Sequence, residues 1–175
     1  MKTAKISYDF PNALSIEVIE RSPAFLTAHE GIYLLVDSEG YVLETFTEDN
    51  KPEYPIIQGL DIKFFKIGTS LELSSDKERL LLSIQIYNYM EQTNMGDGYI
   101  DTIDIGNVDE IWMTAYPSLS IKLGDSDNLG LKISKLKVIM DSGYNGNSEG
   151  VIDFTSSKNP IFKENVKSSD DMNND

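Results

Sequence analysis

Apolar and polar residues alternate in short stretches of the first 60 residues, which is the pattern of half-buried β-strands. The stretches come in pairs separated by turn residues: 4–8 and 14–18 about Pro11-Asn12, and 32–36 and 41–46 about Ser38-Glu39-Gly40. Proline, asparagine and glycine supply the backbone geometry that tight turns need. The pattern therefore predicts two hairpins and mainly antiparallel pairing in this part of the chain.

Two later segments change to the period of a helix. Ser75-Asp76-Lys77-Glu78 fits a capping box, and an apolar face follows it until Gly96-Asp97-Gly98 ends the helix. The members of this face are Leu80, Leu81, Ile84 and Tyr87, with a second apolar stripe at Leu82, Ile86 and Tyr89. A second helix is predicted between Asp127 or Asn128 and Gly143, with apolar residues at Leu129, Ile133, Leu136, Ile139 and Met140.

Strand patterns surround the second helix. Residues 99–105, 110–114 and 118–123 predict a three-stranded meander, and Gly150 to Phe154 predicts a last strand. Together the elements predict an α+β fold: a mixed, mainly antiparallel sheet of about nine or ten strands with at least two helices packed on it. Residues 1–162 form the predicted domain, and residues 163–175, which are polar and charged, are predicted to be a disordered tail.

The composition excludes several classes of function. The formal charge of −14, from 15 Lys and Arg against 29 Asp and Glu, opposes binding to nucleic acids and to anionic lipid surfaces. The chain has no cysteine, which excludes disulfides, thiolate metal sites and a cysteine nucleophile. It also has no apolar run long enough to span a bilayer and no signal-peptide pattern in residues 1–20.

Catalytic and metal-binding patterns are also missing from the sequence. His29 is the single histidine, and no Gly-x-Ser-x-Gly motif accompanies it, so we expect no catalytic residues. The glycine-rich stretch 143–150 lacks a Walker lysine. Asp141, Asn145 and Gly146 match three positions of a calcium loop, but Ile152 stands where the bidentate glutamate is needed. We therefore expect no cofactor and no metal.

Two features leave other functions open. Asp101 and Asp104 are a carboxylate pair of the kind used in glycoside hydrolysis, although strand alternation places them on opposite faces. Trp112 and nine tyrosines offer aromatic faces for sugars, although Trp112 lies among apolar residues of a predicted strand and core packing is its simpler role. A carbohydrate- or peptidoglycan-binding module is thus the second hypothesis, and an acid-dependent hydrolase is the third.

The order of the elements resembles that of one protein family. The pattern begins in residues 4–23 with a strand, a Pro-Asn turn, an alternating strand and Glu20-Arg21-Ser22-Pro23. The later matches are Tyr33 to Leu43, Pro55 to Gly59, the long helix from Asp76, Ile103-Asp104-Ile105, Ile121 to Gly124, Lys135 to Met140 and Val151 to Phe154. This succession, which reaches to about Phe162, is similar to the β domain of the FtsQ/DivIB bacterial cell division proteins.

The resemblance implies a non-enzymatic scaffold of the division machinery. It implies a longer protein in which one membrane helix and a POTRA domain precede the β domain. That protein would be anchored at the outer face of the bacterial cell membrane, at the division septum. The implied partners are the small coiled-coil division proteins FtsL and DivIC or FtsB.

Docking at the last strands is the expected mode of binding. The resemblance places partner docking there, and a late strand before a polar tail has few chain neighbours left to cover its edge. We therefore predict that residues at or near a sheet edge receive a partner strand by β-augmentation. The predicted partner-binding residues are Gly150, Val151, Ile152, Asp153, Phe154, Ile161 and Phe162.

Overall fold

A computed structural model of the chain describes residues 1–74, 77–95, 98–115, 118–142, 149–155 and 159–164. The helices are α1 (Glu78–Gln92) and α2 (Leu129–Asp141), and a short 3-10 helix spans Glu48–Asn50. The strands, in chain order, are β1 (Thr3–Asp9), β2 (Ala13–Ile19), β3 (Pro23–His29), β4 (Ile32–Asp37), β5 (Val42–Phe46), β6 (Ile56–Gln58), β7 (Ile62–Phe64), β8 (Glu72–Leu73), β9 (Thr102–Asp104), β10 (Ile111–Ala115), β11 (Leu119–Gly124), β12 (Gly150–Asp153) and β13 (Ile161–Glu164).

The predicted α+β class is confirmed by the arrangement of these elements. Nine of the described strands form one sheet in the order β13-β12-β11-β10-β9-β6-β3-β4-β5. Five of its eight neighbouring pairs are antiparallel and three are parallel, so the sheet is mixed and mainly antiparallel. Helices α1 and α2 contact each other and pack on one face of this sheet.

The core lies between the sheet and the helices, and its floor is a row of apolar residues that crosses the middle strands. The row consists of neighbours in register from β6 to β12: Ile57, Ile103, Met113, Ile121 and Ile152. Each of these side chains is at most 2% exposed. If a strand slipped by one residue against its neighbour, its side chain in this row would turn to the other face of the sheet. The burial of the row therefore fixes the register of the strands that lead to the sheet edge.

Helix α1 buries members of both apolar stripes that its pattern shows, with one exception. The buried arc runs from Leu82 through Ile86 and Met90 to Leu80. Leu81 projects on the opposite side and is 63% exposed. The prediction that Leu81 belongs to the core face is therefore wrong, because the stripe through Leu82 and Ile86 is the one that packs most deeply against the sheet.

Asparagines in the left-handed conformation flank both helices. Asn128 has a φ of 55° and precedes α2, which begins at Leu129 as predicted. Asn94 has a φ of 53° after α1, and the N–H of Met95 donates to the carbonyl of Met90 at 2.8 Å. This bond closes α1 before the predicted glycine stop. The cap and stop residues that lie outside the described part of the chain are Ser75, Asp76, Gly96, Asp97 and Gly143.

The first predicted hairpin forms, but it stands apart from the nine-stranded sheet. Strands β1 and β2 pair with each other as a separate two-stranded sheet. One face of this hairpin is apolar and consists of the cross-strand pairs Ala4–Val18, Ile6–Ile16 and Tyr8–Leu14. All six of these side chains are exposed. A two-stranded hairpin is only marginally stable by itself in water, so we expect this unit to add little to the stability of the main sheet.

Candidate functional site

The predicted docking residues lie on the last two strands of the sheet order. β12 holds Gly150–Asp153 and is paired on both sides, parallel to β11 and antiparallel to β13. Among the described strands, β13 pairs with β12 alone and forms the edge. Gly150–Phe154 thus lies one strand inside the edge, whereas Ile161 and Phe162 lie on the edge itself. β13 extends to Glu164, two residues past the boundary predicted for the domain.

The edge strand exposes two large apolar side chains on opposite faces of the sheet. Ile161 pairs with Asp153, and Phe162 pairs with Ile152. Because Ile152 is buried under the helices, Phe162 projects on the helix side of the sheet. Ile161 projects on the other side, as does the half-buried Val151. Ile161 is 42% exposed and Phe162 is 47% exposed, so both faces of this edge offer apolar surface to a partner.

Gly150 makes room for the ring of Phe162. A Cβ atom on Gly150 would lie 2.7 Å from this ring and 2.7 Å from the carbonyl oxygen of Lys163. Real Cβ atoms do not approach other atoms so closely, so a larger residue would displace the edge strand. Gly150 was predicted to bind a partner; in the structure it positions the strand that carries Phe162.

Asp153 joins the edge strand to its neighbour. Its carboxylate accepts hydrogen bonds from the Thr155 hydroxyl at 2.6 Å, the Thr155 N–H at 2.8 Å and the Lys163 ammonium at 3.1 Å. The bonds from Thr155, and then the bond and charge of Lys163, hold the pKa of the Asp153 carboxyl below its usual range. The bond from Lys163 ties β13 to β12, and the two from Thr155 hold the turn that follows β12. Ile152 and Phe154 are also committed to internal contacts, because both are buried in the core.

A groove that the sequence analysis missed runs along α2 beside the edge. It consists of two cavities, of about 560 and 380 Å³, that share Lys135 and Pro160 in their walls. The larger is also lined by Leu131 and the smaller by Val138, two exposed apolar residues of α2. A signal for the groove was present in the sequence, because Leu131 and Val138 lie off the apolar stripe that forms the core face of the helix.

The single histidine packs on an aromatic ring, and the described part of the chain shows no cluster of metal-binding side chains. His29 ends β3 and packs edge-to-face on Phe65, with the ring centroids 5.7 Å apart. No group of three or more His, Cys, Asp or Glu side chains among the described residues is placed to hold a metal ion. Asn145 and Gly146 of the calcium pattern fall outside those residues.

The two carboxylates of the hydrolase hypothesis have separate surroundings. Asp104 accepts the N–H of Gly106 at 2.8 Å and so belongs to the turn after β9. Asp101 lines a cavity of about 420 Å³ with Lys51 and Tyr54, and burial raises the pKa of its carboxyl. Glycoside hydrolysis needs two carboxylates that face one bond, and Asp104 does not line the cavity that Asp101 lines.

Cations contact four of the aromatic rings that the carbohydrate-binding hypothesis counted. The four pairs are Lys122 over Trp112 at 5.1 Å from the ring centroid, Arg21 over Tyr41 at 3.5 Å, Lys51 over Tyr33 at 4.4 Å and Lys137 over Tyr99 at 4.7 Å. A sugar stacks on an open aromatic face, whereas these faces already hold cation–π contacts. These four rings therefore give no support to the carbohydrate-binding hypothesis.

The described part of the chain is thus an α+β domain with an exposed sheet edge and a partly apolar groove beside it, which is a class of structure suited to binding other proteins. None of its helices has both the length and the apolarity that crossing a membrane requires. No protein-family model matches the sequence.

Comparison with curated proteins gives relatives that are named as cell division protein DivIB. The chain is 24% identical over 163 residues to DivIB of Clostridium botulinum strain Hall, a match that covers 93% of this chain and 62% of the relative. For DivIB of Clostridium acetobutylicum the identity is 22% over 163 residues, with 93% and 63% covered. For that of Clostridium tetani it is 22% over 161 residues, with 90% and 59% covered.

These matches confirm the resemblance to the FtsQ/DivIB family that the order of the elements indicated. The similarity extends over at least nine tenths of the chain for each of the three relatives. The chain spans about three fifths of the length of the curated relatives that it matches.

Proposed function

We propose that this chain is the docking domain of a bacterial cell division protein, a non-enzymatic scaffold whose edge strand β13 accepts a strand from a partner. The partner is an FtsL-like or DivIC/FtsB-like division protein, and the complex lies at the septum on the outer face of the cell membrane. An anchor elsewhere in the longer protein holds the domain there. The names of the relatives support the division role.

The observation that carries this proposal is the edge strand β13. It pairs on one side with β12 and is the last described strand in the sheet order. A partner strand would bond to its outward main-chain groups and continue the sheet. Main-chain pairing requires no particular side chain, which agrees with a sequence that has no conspicuous binding motif. Each such hydrogen bond contributes only about 0.5 to 1.5 kcal/mol net, so side chains must supply the rest of the affinity.

Proline substitutions on β13 test the proposal. The N–H groups of successive residues in a strand point alternately toward the neighbouring strand and away from it. Proline has no N–H group. Of the two variants Phe162→Pro and Lys163→Pro, one therefore loses a donor that faces outward, and the other loses a donor that faces β12. We expect the outward-facing variant to stay folded and to bind the extracytoplasmic segment of the DivIC-like protein of the same organism about tenfold more weakly. Isothermal titration calorimetry measures the affinity, and circular dichroism reports the fold.

Two controls separate main-chain pairing from other effects. Alanine at the same position keeps the N–H group and should weaken binding less than proline does. Glu44→Pro alters β5 at the opposite edge of the sheet and should leave binding unchanged in a folded protein. Folded proline variants at both Phe162 and Lys163 that bind like the wild type would show that β13 is not the dock.

A further inference from the structure

The short hairpin of β7 and β8 carries a turn that exposes two large apolar side chains. Phe64 ends β7 and Ile67 lies three residues later, and each is 56% exposed. Phe65 packs on His29, so its neighbour Phe64 projects away from that contact. Beyond residue 19 and outside β13, the described residues hold no other two large exposed apolar side chains within four positions of each other. Such a pair on one turn indicates a contact surface.

Hydrogen bonds hold this turn to itself and to the sheet. Thr69 donates both its N–H, at 3.0 Å, and its hydroxyl, at 2.9 Å, to the carbonyl of Lys66. The N–H of Gly68 donates to the carbonyl of Val42 in β5 at 2.8 Å, and the N–H of Val42 donates to the carbonyl of Thr69 at 3.0 Å. Because the backbone is fixed in this way, the turn presents its apolar side chains at little cost in conformational entropy.

The charges on the turn are basic, although the chain as a whole is strongly acidic. Residues 62–71 contain Lys63 and Lys66 and no acidic residue, whereas the whole chain has a formal charge of −14. Both lysines are exposed. Glu72 in β8 pairs with Lys63 at 3.6 Å, but an exposed pair of this length contributes little. Large apolar side chains beside lysines are the combination with which peripheral proteins contact lipid surfaces.

We propose that the turn at residues 63–67 inserts Phe64 and Ile67 into the surface of a lipid bilayer, with Lys63 and Lys66 at anionic headgroups. The inference rests on the proposed function in one respect, because an anchor that holds the domain at the membrane raises the local concentration of lipid. The acidic remainder of the surface opposes this contact only at short range, since charges are screened over about 8 Å at physiological ionic strength.

Two other occupants fit this turn less well. A second copy of the chain would bring its own lysines and its own formal charge of −14, and both oppose self-association here. A specific protein partner needs a complementary surface of about 800 Å² on each side. The residues that follow Ile67 are Gly68, Thr69 and Ser70, which are exposed and add no apolar surface. A bilayer surface accepts a protruding turn without a matching shape.

Co-sedimentation of the full chain with vesicles tests the proposal. We expect the wild type to bind vesicles of phosphatidylcholine and phosphatidylglycerol, and Phe64→Ser/Ile67→Ser to bind them at least tenfold more weakly. The matched control is Leu81→Ser/Leu131→Ser, which removes two apolar side chains that are 63% and 57% exposed on the helices. This control should bind like the wild type, and circular dichroism confirms the fold of each variant.

Two further variants locate the contact. Phe64→Trp keeps an aromatic ring at the turn, and we expect its fluorescence to shift to shorter wavelength and to be quenched by brominated lipid, relative to the wild type with Trp112 alone. Lys63→Gln/Lys66→Gln should weaken binding to vesicles that contain phosphatidylglycerol and leave binding to pure phosphatidylcholine unchanged.

The outcomes separate this inference from the docking proposal, because vesicle binding is measured without the DivIC-like segment. If Phe64→Ser/Ile67→Ser binds vesicles like the wild type, or if the fluorescence of Phe64→Trp does not respond to lipid, the membrane contact is overturned and β13 remains the proposed dock. If the serine variant instead loses only the DivIC-like segment, the turn is a protein contact. If light scattering shows a wild-type dimer that this variant dissociates, the occupant is a second copy. Either result also overturns the proposal.

Discussion

At the scale of single residues, Gly59 shows how one position fixes the contact between two strands. It follows β6 with a φ of 91°, and a Cβ atom there would lie 2.3 Å from the backbone nitrogen of Gly106, which follows β9. Gly68 has a similar φ of 85° but open space around it. We expect Gly59→Ala to lower the free energy of unfolding by about 1 to 3 kcal/mol more than Gly68→Ala, because only the first substitution meets backbone atoms. Urea denaturation measures both variants, and equal losses would contradict this account.

Asp153 makes the stability of the edge depend on pH at this same scale. The bonds from Thr155 and Lys163 lower its pKa in the folded chain, whereas the unfolded value is about 3.9. A lowered folded-state pKa gives stability that is present above the unfolded value and is lost as the pH falls through the folded one. We therefore expect Asp153→Asn to be less stable than the wild type at pH 7, with a difference that shrinks below about pH 4.

Chemical denaturation at pH 7, 5 and 3 measures this difference. Asp109→Asn is the control, because Asp109 is an exposed aspartate of the turn before β10. A stability difference for Asp153→Asn that stays constant from pH 7 to pH 3 would mean that the charge of Asp153 is not what holds β13.

At the scale of elements, local signals predicted most of the fold. Hairpins and the β9 to β11 meander join neighbours in the chain, so alternation and turn residues are enough to identify them. The place of β6 between β3 and β9 was not predictable in this way. It depends on two parallel pairings, Ile57 with Thr27 and Ile57 with Ile103, between residues that are distant in sequence. Such order follows from packing of the whole core and leaves no local pattern.

The candidate site was predicted only in part, because it too depends on contacts that leave no local pattern in the sequence. The region of the last strands could be predicted from the sequence, but the edge strand β13 itself could not. It has only four residues, and so short a segment does not show the alternation that identifies a strand. Its strand form comes from pairing with β12. Likewise, the pattern of α2 leaves Val138 off its apolar stripe, but it does not say that a groove forms beside that residue.

At the scale of the whole molecule, the hairpin and the nine-stranded sheet are joined at Arg21. Its guanidinium donates hydrogen bonds to Asp37 at 2.5 Å and to Glu39 at 2.8 Å, and it stacks on the Tyr41 ring. Lys2, just before β1, also pairs with Glu39 at 2.7 Å. Ion pairs thus hold one end of the hairpin, while its apolar face stays open.

This arrangement predicts that the main sheet folds without the hairpin. Removal of residues 1–19 breaks the exposed Lys2–Glu39 pair, which is worth about 0 to 1 kcal/mol, and it leaves the Arg21 contacts in place. We expect the melting temperature to change by less than about 4 °C. Arg21→Gln in the full chain should lower the melting temperature by more than the removal of residues 1–19 does, because the buried Asp37 then loses its cation. Thermal unfolding followed by Trp112 fluorescence and circular dichroism compares the chains, and a shortened chain that no longer unfolds cooperatively would show that the hairpin is required for the core to form.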